Sequence, residues 1–334
     1  MNVLLSSVGR RAYMVKFFKE ALNGSGKVHV SNSDDKTVAF HYADESVITP
    51  LIYDPEYIPF LLDYCKKNHI DILISLFDID LFILAKNKQA FEDIGTKVIV
   101  SDSGFIEICN DKWKTYQFLY ENGFKTPRTY LSLYDVKSDI KRGLLNYPLI
   151  IKPRFGCGSI SVCVAYDEAD LDYLYSRTTK DVDKTYLKYE SADVNEKAII
   201  QECLNGQEYG ADIINDLFGE NRAVIVRKKI AMRSGETDIA ELVDNPIIRD
   251  SLMRLGKITR HIANLDCDVF MVNNEPYIIE LNARFGGGYP FSQMGGCNLP
   301  LAIIEWAKGN SVSDCLFNVK TNIIGYKELY ITQK

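Results

Sequence analysis

Residues 267–288 read CDVFMVNNEPYIIELNARFGGG. Two apolar runs, Cys267 to Val272 and Tyr277 to Leu281, flank Asn273-Asn274-Glu275-Pro276, the pattern of a β-hairpin. A three-residue loop sets Val272 against Pro276, and counting back places Asp268 opposite Glu280. Directly opposed residues of an antiparallel pair lie about 5 Å apart on one face, and alternation along the strand brings Asn282 to the face of Glu280. Two carboxylates and an amide oxygen then converge beside apolar neighbours. Left alone, the carboxylates repel and one tends to hold a proton. A hard divalent cation removes the conflict, and oxygen-only donors suit Mg²⁺, which completes its shell with water and substrate phosphates. Arg284 follows at the same parity, and Gly286-Gly287-Gly288 then offers bare backbone amides to an anion. Two alternatives stay open. The hairpin could be exposed, its acids serving only to solvate it, and a four-residue loop would set Asp268 against Leu281.

A length of 334 residues allows two or three domains with ample core. An apolar fraction of 46% with 25% charged residues is that of an ordinary soluble globular protein. The net charge of −6 argues against nucleic acid as a partner. No apolar run reaches membrane-spanning length, and the short apolar run of the N-terminus precedes Arg10 and Arg11, the reverse of a secretory signal. A cytoplasmic protein without membrane contacts is expected. The 8 cysteines form no Cys-x-x-Cys pair and the 4 histidines lie far apart, so reduced and mostly buried thiols are expected instead of a zinc site. Cys157 differs from the others in lying within a glycine loop.

From the N-terminus, strands at 2–8, 28–32, 70–76 and 97–100 alternate with helices at 12–22, 56–68 and 80–93, which predicts a parallel, doubly wound sheet. Ligands of such sheets bind beyond the carboxyl ends of the strands, a rim that holds Ser7 to Arg11, Asp34 and Phe77 to Asp80. Ser6-Ser7-Val8-Gly9-Arg10-Arg11 has one glycine where a dinucleotide fingerprint requires three, and Gly24-Ser25-Gly26-Lys27 reads as a plain helix-to-strand turn.

Asn110 or Asp111 caps a helix running to about Asn122. Lys112 falls in its first turn, where a solvated lysine opposes the helix dipole; it is either functional or simply exposed. Residues 148–166, PLIIKPRFGCGSISVCVAY, read as strand, glycine turn and strand. No helix follows the glycines, so this is neither a Walker loop nor a dinucleotide turn, although such a flap can cover phosphates with backbone amides. Lys152 sits within an apolar strand and requires a partner, either a protein carboxylate or a nucleotide phosphate. A helix at 168–176 precedes strand 198–202 and the turn between Glu202 and Glu208. A strand with Arg227, Lys228 and Lys229 leads to a loop carrying Arg233, Gly235, Glu236 and Thr237, read as a solvated basic face or as a site for an anionic substrate. A helix over 246–264 has Ile247, Leu252, Leu255, Ile258 and Ile262 as its core positions. Asn298 to Lys308 reads as a further helix and 316–331 as strands.

Asn110-Asp111-Lys112, Tyr147-Pro148-Leu149-Ile150-Ile151-Lys152-Pro153, Gly156-Cys157-Gly158-Ser159, Gln201-Glu202 through Gly206-Gln207-Glu208-Tyr209 and Glu280-Leu281-Asn282-Ala283-Arg284 occur in this order. Individually weak, they are jointly specific, and over nearly the whole chain the sequence resembles the ATP-grasp superfamily. It is most similar to free-standing carboxylate–amine ligases related to the carbamoyl-phosphate synthase large chain. The resemblance implies an α/β architecture of three parts: a Rossmann-like pre-ATP-grasp domain (1–103), a small lid domain with the glycine flap (104–200) and a large domain with the Mg-binding hairpin (201–334). It implies that Lys112 and Lys152 contact ATP phosphates and that the flap, with Gly156, Gly158 and Ser159, closes over them. Backbone at Glu202 and Leu204 would read adenine, and Glu208 would bind ribose. Asp268, Glu280 and Asn282 would hold Mg²⁺, for which Mn²⁺ can substitute. Arg284 would stabilise charge on the transferred phosphoryl group.

The activity implied is that of an ADP-forming carbon–nitrogen ligase. A small-molecule carboxylate is phosphorylated by Mg-ATP and the acyl phosphate is then attacked by an amine. Arg233, Glu236, Gly287 and Arg10, with Arg11, are the candidates for substrate recognition, and a homodimer through the N-terminal domain is expected by family habit. A kinase of the same superfamily uses the same ATP site. A catalytically silent nucleotide-binding module is disfavoured by the intact Asp268, Glu280, Asn282 and Arg284, and a dehydrogenase by the absent glycine fingerprint.

Overall fold

The computed structural model describes residues 1–156 and 161–332, so the expectations for Cys157, Gly158 and Ser159 fall outside the described residues. Five short apolar runs form a parallel sheet of β1 (Asn2–Ser6), β2 (Val28–Asn32), β3 (Glu45–Ile48), β4 (Ile70–Ser75) and β5 (Lys97–Val98), in the order β3-β2-β1-β4-β5. Helices cover both faces because alternate β1 side chains are apolar in both directions. Val3 and Leu5 share a core with Met14, Val15 and Phe18 of α1 (Ala12–Leu22), and Leu4 with Tyr57, Leu61 and Cys65 of α2 (Tyr57–Lys67). Asn23 ends α1 in the left-handed region, and Gly24 follows it in the expected turn. The helix expected over 80–93 starts earlier and is divided at Asn87 into α3 (Asp78–Lys86) and α4 (Lys88–Asp93). Asp78 and Asp80 occupy the first turn of α3, where negative charge suits the helix dipole.

Helices α5 (Ser103–Asn110) and α6 (Lys112–Glu121) come next, capped by Asp102, which accepts from the Gly104 N–H at 2.8 Å, and by Asp111, which accepts from the Trp113 N–H at 3.0 Å. Phe105, Ile106, Leu119 and Phe124 enter a core shared with Leu265, Cys267 and Leu281. A four-stranded sheet follows, of β6 (Thr129–Tyr130), β7 (Leu149–Pro153), β8 (Cys163–Ala165) and β9 (Ala198–Glu202), ordered β6-β9-β7-β8. It packs with α7 (Leu133–Lys141) and α8 (Glu168–Val182) around Val136, Leu149, Ile151, Leu171 and Ile200. The α8 helix continues past the expected residue 176, and the short α9 (Leu187–Glu190) follows it.

The third sheet has six strands: β10 (Gln207–Asn215), β11 (Asn221–Arg233), β12 (Glu236–Val243), β13 (Asn264–Val272), β14 (Glu275–Asn282) and β15 (Ile323–Tyr326), ordered β14-β13-β10-β11-β12-β15. Helix α10 (Pro246–Thr259) stops short of the expected residue 264 because Arg260 turns left-handed with φ 46°. It presents Ile248, Leu252 and Leu255 inward. Ile247 and Ile258, expected in the core, are 47% and 41% exposed. After α11 (Tyr289–Gly295) and α12 (Leu299–Ala307), capped by Asn298, the tail expected as several strands contributes β15 alone.

Candidate active site

The hairpin turn has two residues, not three. Asn273 and Asn274 both adopt the left-handed region, φ 49° and 61°, as a tight hairpin turn requires. Val272 therefore pairs with Glu275 instead of Pro276. That alone would set Asp268 against Ile279. A β-bulge places Ile279 as the extra residue on β14, and Asp268 faces Glu280 after all, with Asp266 facing Asn282 one step further. Four oxygen-bearing side chains thus share one face of the hairpin.

A cleft of about 250 Å³ opens between β7 and β9 of the lid sheet and this face. Lys112, Lys152, Gly156, Glu202, Leu204, Glu208, Asp268 and Glu280 all line it, and Ile150, Phe270 and Ile279 supply apolar walls. An adjoining pocket of about 190 Å³ shares Glu208, Asp268 and Glu280 and adds Asn282, Arg284, Arg11, Glu236 and Gly287.

Lys112 donates to the Gly156 carbonyl and lies 3.7 Å from Glu280 Oε1. Its helix turn is held by a buried ion pair, in which Arg154 donates to both oxygens of Asp111 at 2.8 and 2.7 Å. Lys152 is buried on β7, and among the described residues no carboxylate is within ion-pair distance of it. Burial pushes its ammonium down to about 8; Glu280 and Asp268 oppose this, and Lys112 adds to it. A buried cation left without a close anion is costly, and its ammonium gives up a proton more readily. On β11, Lys229 donates to Glu208 Oε1 at 2.6 Å and lies 2.7 Å from Asp268 Oδ1. Burial disfavours its charge, but these carboxylates more than restore it and its pKa is raised. Asp268 has its carboxyl raised by burial, with Asp266 and Glu280 adding to the effect of burial and Lys229 opposing it. Among the described residues no group of three or more His, Cys, Asp or Glu side chains is disposed to hold a metal; the residue expected to join Asp268 and Glu280, Asn282, carries an amide.

Behind these residues runs a buried chain of alternating charge. Arg227 donates to Asp212 and Asp266, each at 2.6 Å. Arg284 donates to Asp266 at 3.0 Å and, from Nε, to Asp78 at 3.1 Å. Burial raises the Asp266 carboxyl, but the two guanidinium groups outweigh it and hold the carboxyl below its usual range. The glycines after Arg284 make room for this chain. A Cβ on Gly286 would stand 2.1 Å from Asp266 Cγ, and one on Gly288 2.1 Å from Arg227 Nε. The approach expected between these glycines and a bound anion is thus, at Gly286 and Gly288, an approach to the protein's own ion pairs.

Two substrate candidates are not brought together with the rest. Arg233 is exposed and pairs with Asp238, as its place beside a hairpin turn dictates, and Arg10 is exposed outside the pocket. Glu236 and Gly287 do line it. Asp266 was missed, as were the pairing of Lys229 with Glu208 and Asp268 and the contact of Asp78, expected only at the rim of the sheet, with Arg284. Asp266 was findable, since it precedes Asp268 by two residues and so shares its face. No helix among the described residues is long and apolar enough to cross a membrane.

Comparisons with known proteins bear on the family and the fold. A model of the PylC-like N-terminal domain matches residues 3–99, and a model of the ATP-grasp domain matches residues 109–288. The chain is similar to the carbamoyl phosphate synthase large chain of Campylobacter jejuni, 25% identical over 291 residues that cover 83% of this chain and 25% of the relative. It spans about a quarter of the length of the curated relatives it matches. Among solved structures it is similar to the biotin carboxylase domain of a Hydrogenobacter thermophilus 2-oxoglutarate carboxylase, a dimer in complex with MgADP, ADP and bicarbonate. There the TM-score is 0.73 at 16% identity, covering 97% of this chain and 73% of that one. An L-amino acid ligase from Bacillus licheniformis gives a TM-score of 0.65 at 18% identity, covering 92% and 73%. At such identities the structural likeness is one of fold. The domain model, by contrast, spans more than half of the chain and takes in both the lid sheet and the Asp268–Glu280 hairpin, and on that ground the protein belongs to the ATP-grasp family.

Proposed function

We propose that this chain is an ADP-forming carbon–nitrogen ligase that activates a small-molecule carboxylate with ATP and joins it to an amine. One observation carries the reading: a buried lysine without a close anion, Lys152, faces a carboxylate-bearing hairpin across a cleft that continues into a second, charged pocket. Adenine packs between Ile150 and Phe270, with backbone at Glu202 and Leu204 reading its edge and Glu208 taking ribose hydroxyls. Lys112 and Lys152 neutralise the phosphates. The division into units, expected at 1–103, 104–200 and 201–334, is part of this reading, with the second boundary moved past β9, which stays in the lid sheet to Glu202.

The donor set fits a hard cation. Asp268 and Glu280 are opposed in register, Asn282 adds an amide oxygen, and a divalent charge would offset the burial and the neighbouring carboxylates that raise Asp268. Asp268, Glu280 and Asn282 would hold Mg²⁺, or Mn²⁺ in its place, which when bound supplies charge neutralisation at the phosphates. A carboxylate oxygen of the substrate forms a bond to the γ phosphorus of ATP, the bond to the β–γ bridging oxygen breaks, and ADP leaves. The amine nitrogen then attacks the acyl carbon, phosphate departs and the amine proton is lost to a base. Arg284 meets the negative charge of the transferred group. Such transfer needs mainly positioning and charge neutralisation. In the second pocket Arg11 donates to the Phe285 carbonyl at 2.8 Å, and Glu236 pairs at 3.2 Å with Lys327. These two residues, with Gly287, are the substrate-side candidates, Arg233 and Arg10 being less favoured by their placement.

Hydroxylamine serves as a general amine in the test. The protein is incubated with Mg-ATP, hydroxylamine and a library of carboxylic acids, and hydroxamate and ADP are measured together. Hydroxamate formed in step with ADP supports the ligase. A stable phosphorylated product unaffected by hydroxylamine indicates a kinase instead, and absence of Mg-ATP binding removes the reading altogether.

A further inference from the structure

In doubly wound sheets the crevice where the strand order reverses ordinarily takes a ligand. Here that point lies between β1 and β4. Asp78, in the first turn of the α3 helix that follows β4, meets Arg284 beside it. Arg284 donates from Nε to Asp78 Oδ2 at 3.1 Å, and its Nη2 lies 3.0 Å from the same oxygen, with both side chains about nine-tenths buried. Ser75 and Ile74 of β4 line a small cavity together with Ala283, Arg284 and Phe285. Asp78 is itself firmly placed. Two residues on, in the same first turn of α3, Asp80 is fully buried and accepts from Ser6 at 3.2 Å, from Ser7 at 2.8 Å, from Tyr57 at 2.9 Å and from Ser75. Those hydroxyls come from the ends of β1 and β4 and from α2. The first turn of α3 is thereby pinned to the sheet, and Asp78 projects from it to the guanidinium.

We propose that Asp78 is a positioning residue for Arg284, and that the N-terminal sheet, through the first turn of α3, acts as a clamp on this arginine. The proposal rests on the reading that Arg284 meets the γ-phosphoryl group. Asp78 binds Nε and Nη2 and Asp266 binds Nη1. This fixes the guanidinium plane before nucleotide arrives. The signal in the sequence was Phe77-Asp78-Ile79-Asp80 at the carboxyl end of a strand. Residues at that rim attract a functional reading, but nothing in one sequence names a partner 206 positions away.

The test measures affinity for Mg-AMPPNP and for Mg-ADP, whose ratio isolates the contribution of the γ-phosphoryl group. Arg284→Ala should lower the ratio, and Asp78→Asn should lower it by about tenfold while leaving ADP affinity unchanged. The double variant should fall no further than Arg284→Ala alone. Asp78→Ser, which suits a helix start, gives the same readout should the asparagine variant fail to fold. A wild-type ratio in the Asp78 variants, or a ratio that rises because Asp78 merely competes for the guanidinium, overturns the proposal. An unchanged ratio in Arg284→Ala would instead refute the role given to Arg284 and the clamp with it, while lack of nucleotide binding by the unaltered protein would refute the functional reading.

Discussion

Lys152 gives the sharpest test of the electrostatics, because one group links stability to nucleotide binding. Burial brings its pKa from the usual 10.5 to about 8. Between those values the unfolded chain binds more protons than the folded one, so stability rises with pH across that window. At neutral pH the folded protein carries the cost of a buried, charged lysine, and a shift of this size corresponds to about 3 kcal/mol. Lys152→Met should therefore raise stability by about 3 kcal/mol at pH 7, and the gain should shrink as pH climbs towards 10.5. Nucleotide binding should show the opposite dependence. A polyphosphate restores the charge on Lys152, so affinity for Mg-ATP should be flat below about pH 7 and fall by up to about tenfold per unit above pH 8. Near pH 8 about half a proton should be taken up per nucleotide bound. Calorimetry in buffers of different ionisation enthalpy measures this directly, and urea unfolding of the two proteins measures the stability term. Lys152→Arg should bind without the alkaline decline, since a guanidinium stays charged. Affinity that stays level to pH 9.5 in the unaltered protein, or a methionine variant that binds ATP normally, would refute the reasoning.

Other outcomes follow from neighbouring groups. Lys229→Met leaves Glu208 and Asp268 without their cation and should cost about 2–4 kcal/mol, discounted for their partial exposure; added Mg²⁺ should raise its melting temperature more than that of the unaltered protein. Gly288→Ala drives a methyl group into Arg227 and should cost about 1–3 kcal/mol in a denaturation experiment. Gly287→Ala meets only the flexible end of Glu236, at 3.3 Å, so its stability should be near that of the unaltered protein and its effect should fall on the KM of the substrate.

Much of the cleft was legible because strand parity is a strict rule. Asp268, Glu280 and Asn282 share a face for that reason, and the pairing of Asp268 with Glu280 survived a wrong loop length only because the bulge at Ile279 compensated for it. A bulge leaves no mark in a sequence. Arg227 and Lys229 were visible as a basic strand but not as buried ion pairs, since their partners Asp212, Asp266, Glu208 and Asp268 lie on other strands. The strand β3 escaped notice because Glu45 and Ser46 stand exposed at a sheet edge, where burial imposes no pattern. Helix α10 showed the limit of periodicity, which found the helix but placed Ile247 and Ile258 on the wrong face. Arg233 looked like a substrate residue by its charge, and only the turn geometry, with Asp238 beside it, removes it from the pocket.

The central claim is ATP-driven joining of a carboxylate to an amine, and the most direct measurement is ADP release from Mg-ATP across a matrix of carboxylates and amines. Glu280→Ala serves as the control. The account predicts that some pair releases ADP and yields the corresponding amide in equal amount, that neither partner alone sustains the release, and that the variant abolishes it. ADP release that needs no amine and yields a lasting phosphorylated product, or full turnover in Glu280→Ala, would contradict it.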